Sequence, residues 1–183
     1  LAHLQEEATR SPLAVYESVV QRLVALAPGL PHSRCVTAAY FLERLYVSLP
    51  RVARQEIIRL FLQSAKPSIR TRGYKLLRTD WEATWQLDIE RLWTQWHEPE
   101  SAILIVDHFD PSFLVEHIDQ LAKDLPDAGS IARLYLRACE LEPRLLGKLR
   151  RLDGITYAYV SARLSKAIST PVARRLLRQY KLD

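Results

Sequence analysis

The chain has 183 residues, 48% of them hydrophobic and 26% charged, with a formal net charge of +5. These proportions match an ordinary soluble globular protein long enough to bury a real core. The longest apolar stretch, "AILIV" at 102–106, falls far short of a bilayer span of about 20 residues, and five glycines are few for a turn-rich all-β fold.

Ten prolines divide the sequence. Proline suits the first turn of a helix but costs about 3 kcal/mol in its interior, so each marks a turn or a helix start. Ser11, Asp110 and Thr170 each stand directly before a proline as N-caps. Residues 1–10 read as an N-terminal extension or linker and 11–183 as a single domain. The chain opens on Leu1 and holds no methionine, which points to a piece of a longer protein.

A first pair of helices is predicted near 12–27 and 33–48, a second near 50–64 and 68–79. In "AAYFL" at 38–42 and "RGYKLL" at 72–77, small residues precede bulky apolar ones and let helices approach closely. The third pair, near 81–96 and 99–109, holds all four tryptophans in "DWEATWQLDIERLWTQW", residues 80–96. At 100° per residue, Trp81, Trp85, Ile89, Leu92 and Trp96 fall within about 80° of arc, with Trp93 about 40° beyond it. Trp81, Trp85 and Trp96 are therefore expected in the core, and Trp93 is the candidate exposed aromatic. A base-stacking platform needs aromatics among basic residues, and this helix is acidic.

The fourth pair is predicted near 111–125 and 128–140. In "DPSFLVEHIDQLAKDL", Phe113, Leu114, His117, Ile118 and Leu121 form one stripe, which places His117 at the edge of a core. Helices near 143–152 and 155–167 make a fifth pair, and one near 171–181 completes about eleven. The pairs repeat as units near 11–48, 50–79, 80–109, 110–140 and 142–167, with half a unit at 170–183.

The stretch "IIRLFLQSAKPSIRTRGYKLL" resembles a HEAT repeat. It has an amphipathic helix, a turn containing proline, and a second helix led by arginine with a small residue inside it. Arg70, just after Pro67, stands where that family often has its turn-proximal arginine. The resemblance implies an all-α, right-handed α-solenoid of about five HEAT-like helical hairpins, held together by contacts between neighbouring units. It further implies a non-catalytic protein-binding or scaffolding module whose second helices line a concave surface. Some HEAT-like proteins are DNA glycosylases for alkylated bases, and by resemblance alone Trp85 with Asp88, or Trp93, would take the roles of their tryptophans and aspartate.

Charge runs in blocks. Residues 51–78 hold eight basic residues and one acidic, 79–126 two and eleven, and 127–183 twelve and five. One reading is recognition of an anionic partner, a protein or acidic peptide first, a nucleic acid second. The other is a solvated surface with bridges between blocks. Arginine outnumbers lysine, which suits two-pronged recognition of carboxylate or phosphate. The acidic middle block would interrupt a continuous nucleic-acid groove, so a protein partner ranks ahead. The residues expected to bind it are Arg70, Arg72, Lys75 and Arg78, then Arg133 and Arg137.

Chemistry is harder to find. No two of the five histidines share the i, i+4 spacing of a helical zinc pair, and there is no glycine-rich phosphate loop, nucleophile elbow or CxxC. Neither a catalytic residue nor a metal or cofactor is expected. Cys35 and Cys139, far apart and matching no redox motif, read as buried reduced thiols of a cytoplasmic protein.

Overall fold

The computed structural model describes residues 29–167 and, besides them, Ser18, Arg22 and Arg178. The predicted helices near 12–27 and 171–181, with the caps Ser11 and Thr170, lie outside the described residues. Those described are helical and contain no strand. The chain divides into two compact units, the first ending at Trp81 and the second beginning at Glu82.

In the first unit, α1 (His32–Leu45) closes in a 3-10 turn at Tyr46–Ser48, and α2 (Arg51–Leu62) and α3 (Pro67–Thr79) follow. Pro67 opens α3, where its missing N–H costs nothing. Helices α2 and α3 pack on each other, and α3 also packs on α1. Their shared core is Leu42, Ile57, Ile58, Phe61, Tyr74 and Leu77, each nearly inaccessible. Gly73 permits the close approach of α2 and α3. A Cβ there would lie 3.0 Å from Leu62 Cδ2 and 3.1 Å from Phe61 Cβ, below ordinary contact. Asp80, just past α3, draws the elements together, accepting at Oδ2 from the Tyr46 hydroxyl and from Arg54 Nη1, both at 2.7 Å.

The second unit opens with a 3-10 turn, Ala83–Trp85, that leads into α4 (Gln86–Trp96). Then come α5 (Pro99–His108), α6 (Pro111–Glu116), α7 (Ile118–Asp124), α8 (Ala128–Leu141), a 3-10 segment at Pro143–Arg151, and α9 (Gly154–Ala167). Helices α4 and α5 pack together, and α8 touches α5, α6, α7, the 3-10 segment and α9. Ser101 through Val106 of α5 are buried without interruption, as expected of a helix covered all round.

Two predicted helices differ from expectation. The helix expected over 111–125 is broken at His117, whose backbone (φ −104°, ψ 15°) leaves the helical region. Its ring packs on Phe113 at 4.3 Å between centroids and on Trp93 at 5.4 Å. A stripe in one helix carries no signal for that long-range contact. The helix expected over 143–152 is the 3-10 segment, whose buried face is Leu145, Leu146 and Leu149.

Carboxylates cap some helices of this unit, α6 and α8 among them. Asp110 accepts from the Ser112 backbone N–H at 2.8 Å, as its place before Pro111 foretells, and Asp127 accepts from Ser130 N–H at 2.9 Å. Hydrogen bonds from Ser130 hold the Asp127 carboxyl below its usual range. A lowered carboxyl pKa stabilises the fold above the ordinary carboxylate range, and that stabilisation is lost as pH falls through the lowered value. Asp127→Ala is therefore expected to cost about 1 kcal/mol at neutral pH. In urea titrations repeated at falling pH, the gap between variant and parent should close below the carboxylate range.

Candidate functional site

Helices α1 and α3 lie together, and their outward residues build a face from cations and one aromatic ring. Tyr40 on α1 is about half exposed, at 51%. Arg44, one turn on, donates from Nη1 to the Tyr40 hydroxyl at 2.9 Å, with its guanidinium carbon 5.7 Å from the ring centroid. From α3, Arg72 brings a second guanidinium to 5.9 Å from the same centroid and donates from Nη1 to Glu43 Oε2. Lys75, one turn along α3, and Arg78 are exposed and form no ion pair with a described residue. Phe41, 47% exposed, adds apolar surface on α1. Guanidinium groups near a ring gain from its quadrupole while their outer N–H groups stay available to carboxylates. Glu43 already occupies Arg72 in the way a partner's carboxylate would.

The other residues expected to bind a partner have different roles. Arg70 is 1% exposed, and its Nη1 donates to the Ser64 carbonyl at 2.8 Å, across the turn between α2 and α3. It is part of the core, which corrects its assignment to the binding face. Arg137, half-buried on α8, donates to the carbonyls of Val106 and Phe109, where α5 ends. It satisfies carbonyls that a helix terminus leaves open, so it too leaves the proposed face. Arg133 is exposed, and its Nη1 lies 2.8 Å from Asp107 Oδ1.

Charge blocks are bridged inside each unit. Arg54 pairs with Asp80 at 2.7 Å in the first. In the second, Arg133 pairs with Asp107, and Lys148 with Asp119 at 2.7 Å. Part of the apparent excess charge is thus paired within the fold. Tyr40, Glu43 and Arg44 were absent from the expected site. Their signal was the i, i+4 spacing of Tyr40 and Arg44 on a predicted helix, beside the small residues Ala38 and Ala39.

The tryptophans sort differently from expectation. Trp85 is core at 3% exposure, and Trp81 is half-buried. Trp93, the candidate exposed aromatic, is also 3% exposed, while Trp96, expected inside, is 44% exposed. Trp93 Nε1 donates to Asp124 Oδ2 at 2.8 Å, and its ring meets Phe113, His117 and His97 edge-on. Asp124, its side chain 8% exposed, also lies 2.9 Å from His97 Nδ1 and accepts from Gln120 Nε2 at 2.8 Å. His97 takes the left-handed conformation (φ 49°) that ends α4. Neither Trp85 nor Trp93 presents a face to solvent, and Asp88 pairs with Arg91 at 3.2 Å.

Among the described residues, no group of three or more His, Cys, Asp or Glu could hold a metal ion, and no helix is long and apolar enough to cross a membrane. Neither cysteine forms a disulfide. Cys35 is half-buried, and burial pushes the thiol of the buried Cys139 up to about 12. No protein-family model, curated protein or solved structure matches the chain.

Proposed function

We propose that the chain is a HEAT-like α-solenoid and a non-catalytic binding module that grips an acidic protein segment. Its grip is the α1–α3 face of Tyr40, Arg44, Arg72 and Lys75. The contacts of α1 with α3, and of α5 with α8 and α8 with α9, support the HEAT-like reading, because each joins the second helices of consecutive hairpins. The observation that carries the functional reading is Tyr40, half exposed and flanked by two guanidiniums, with an exposed ammonium a turn away. Arg72 already accommodates a carboxylate, from Glu43. An incoming acidic side chain therefore exchanges with Glu43 and meets donors that are already positioned, so little ordering cost opposes binding.

The test is titration of a fluorescent Asp/Glu-rich peptide, beside duplex DNA and single-stranded RNA, over a salt series. Arg44→Ala combined with Arg72→Ala is expected to weaken peptide binding about tenfold or more, the loss of two charge-assisted hydrogen bonds. The melting temperature should fall by only a few degrees, since Arg44 is exposed and the part-buried Arg72 gives up one ion pair, with Glu43. Absence of peptide binding at low salt would refute the reading. Duplex DNA bound with a log–log salt slope near 0.9 per phosphate, and lost in the same variant, would transfer the surface to nucleic acid.

A further inference from the structure

A cavity of about 440 Å³ opens in the first unit, between α1 and the turn that joins α2 to α3. We infer that it binds an aliphatic carboxylate of medium chain length, with the tail among its apolar walls and the carboxylate on Lys66. This site is separate from the Tyr40 face. Ala38, Ala39 and Leu42 line the cavity, whereas Tyr40 and Arg44 fall roughly 100–200° around α1 from them, on the helix's other side.

The walls are made by small and aliphatic residues. Ala38 and Ala39 on α1 leave the space, and Leu42, Phe61 and Ile69 surround it. Leucines at the two alanine positions would fill much of it, and protein interiors ordinarily leave few voids larger than a water molecule. The volume falls within the range of small-ligand sites, about 300–1,000 Å³. Apart from the Cys35 thiol, which donates to the Leu30 carbonyl, the polar side chains lie at one end, where Gln63, Ser64 and Lys66 sit in the turn. Lys66 is exposed and forms no ion pair with a described residue, and no acidic residue lines the cavity. Lys66 is also the N-cap of α3, a helix of 13 residues whose first turn has no side-chain cap. The positive end of that helix dipole and the ammonium favour an anion at the same place. A largely apolar cavity with one cationic side chain at its edge, Lys66, suits a ligand with one apolar tail and one negative head.

The experiment is calorimetric titration of the purified chain with saturated carboxylates of six to fourteen carbons, each below its micelle concentration. Decanol and decyltrimethylammonium serve as head-group controls. Affinity is expected to rise about fourfold per added methylene, the burial value of one CH₂, and then to stop rising once the tail fills the cavity. Decanoate should bind at least tenfold tighter than the ammonium compound. Lys66→Glu, an exposed change that should not disturb folding, should weaken decanoate at least tenfold and leave decanol within about twofold. Ala38→Leu should shift the plateau to shorter chains, with folding checked by circular dichroism. Failure of every carboxylate to bind would overturn the inference. So would equal binding of the ammonium compound, an affinity that climbs through fourteen carbons with no plateau, or indifference to Lys66→Glu.

Discussion

Arg70→Ala is expected to lower the melting temperature by on the order of 10 °C, although the residue sits in a run of surface-like cations. Its side chain is 1% exposed and donates to the Ser64 carbonyl from inside the hairpin. Truncation removes a charge-assisted hydrogen bond worth about 1.5–3 kcal/mol and leaves a void where the aliphatic stem packed. Relief of the buried charge's desolvation cost offsets part of this. A net loss of about 3 kcal/mol remains from the lost hydrogen bond and the void together, and each kcal/mol moves the midpoint of a chain this long by about 2–4 °C. Arg70→Met should lose less, because it restores volume without the donor. Lys75→Ala and Arg78→Ala, both exposed, should stay within about 0.5 kcal/mol of the parent. Circular-dichroism melts of the four variants decide the matter. An Arg70→Ala melt coincident with that of Arg78→Ala would return Arg70 to the surface and undo the division of the cations into buried and exposed.

That division shows what the sequence could carry. Helix starts were legible because proline acts locally: α3, α5 and α6 begin at Pro67, Pro99 and Pro111. Burial of Arg70 was legible in principle, since it stands at i with Gly73, Tyr74 and Leu77 at i+3, i+4 and i+7, all buried. A cation on an apolar stripe needs an acceptor, and the turn carbonyl of Ser64 supplies it. Arg137 was not legible. Its acceptors are carbonyls at the C-terminal end of α5, some 30 residues earlier in the chain, and a backbone oxygen leaves no mark on a sequence pattern. The site was half visible. Arg72 and Lys75 stood out as charge, but Tyr40 became part of the face only when α1 packed beside α3.

Trp93→Ala is expected to destabilise the second unit by about 3–5 kcal/mol, and Trp96→Ala by about 1 kcal/mol or less, the reverse of what the helical wheel implies. The wheel treats 81–96 as one helix, but α4 begins at Gln86 after a 3-10 turn, and Trp96 is its last residue. There the chain turns through left-handed His97, and Trp96 stays 44% exposed. Trp93 lies at the flank of the stripe and is covered by Phe113, His117 and Asp124, from residues beyond its own hairpin. Losing the indole therefore opens a large cavity and also strips Asp124 of one of its donors in a site only 8% exposed. Trp93→Phe separates the two effects: the ring contacts survive, the N–H is lost, and the cost should be about 1–3 kcal/mol for a buried acceptor left short of a partner. Asp124→Ala in the Trp93→Phe background should then cost less than in the parent, because the two side chains share one interaction. Urea unfolding followed by circular dichroism keeps the readout independent of tryptophan fluorescence. A Trp96→Ala loss equal to that of Trp93→Ala would mean that the aromatic cluster around Asp124 is not the packing centre of α4.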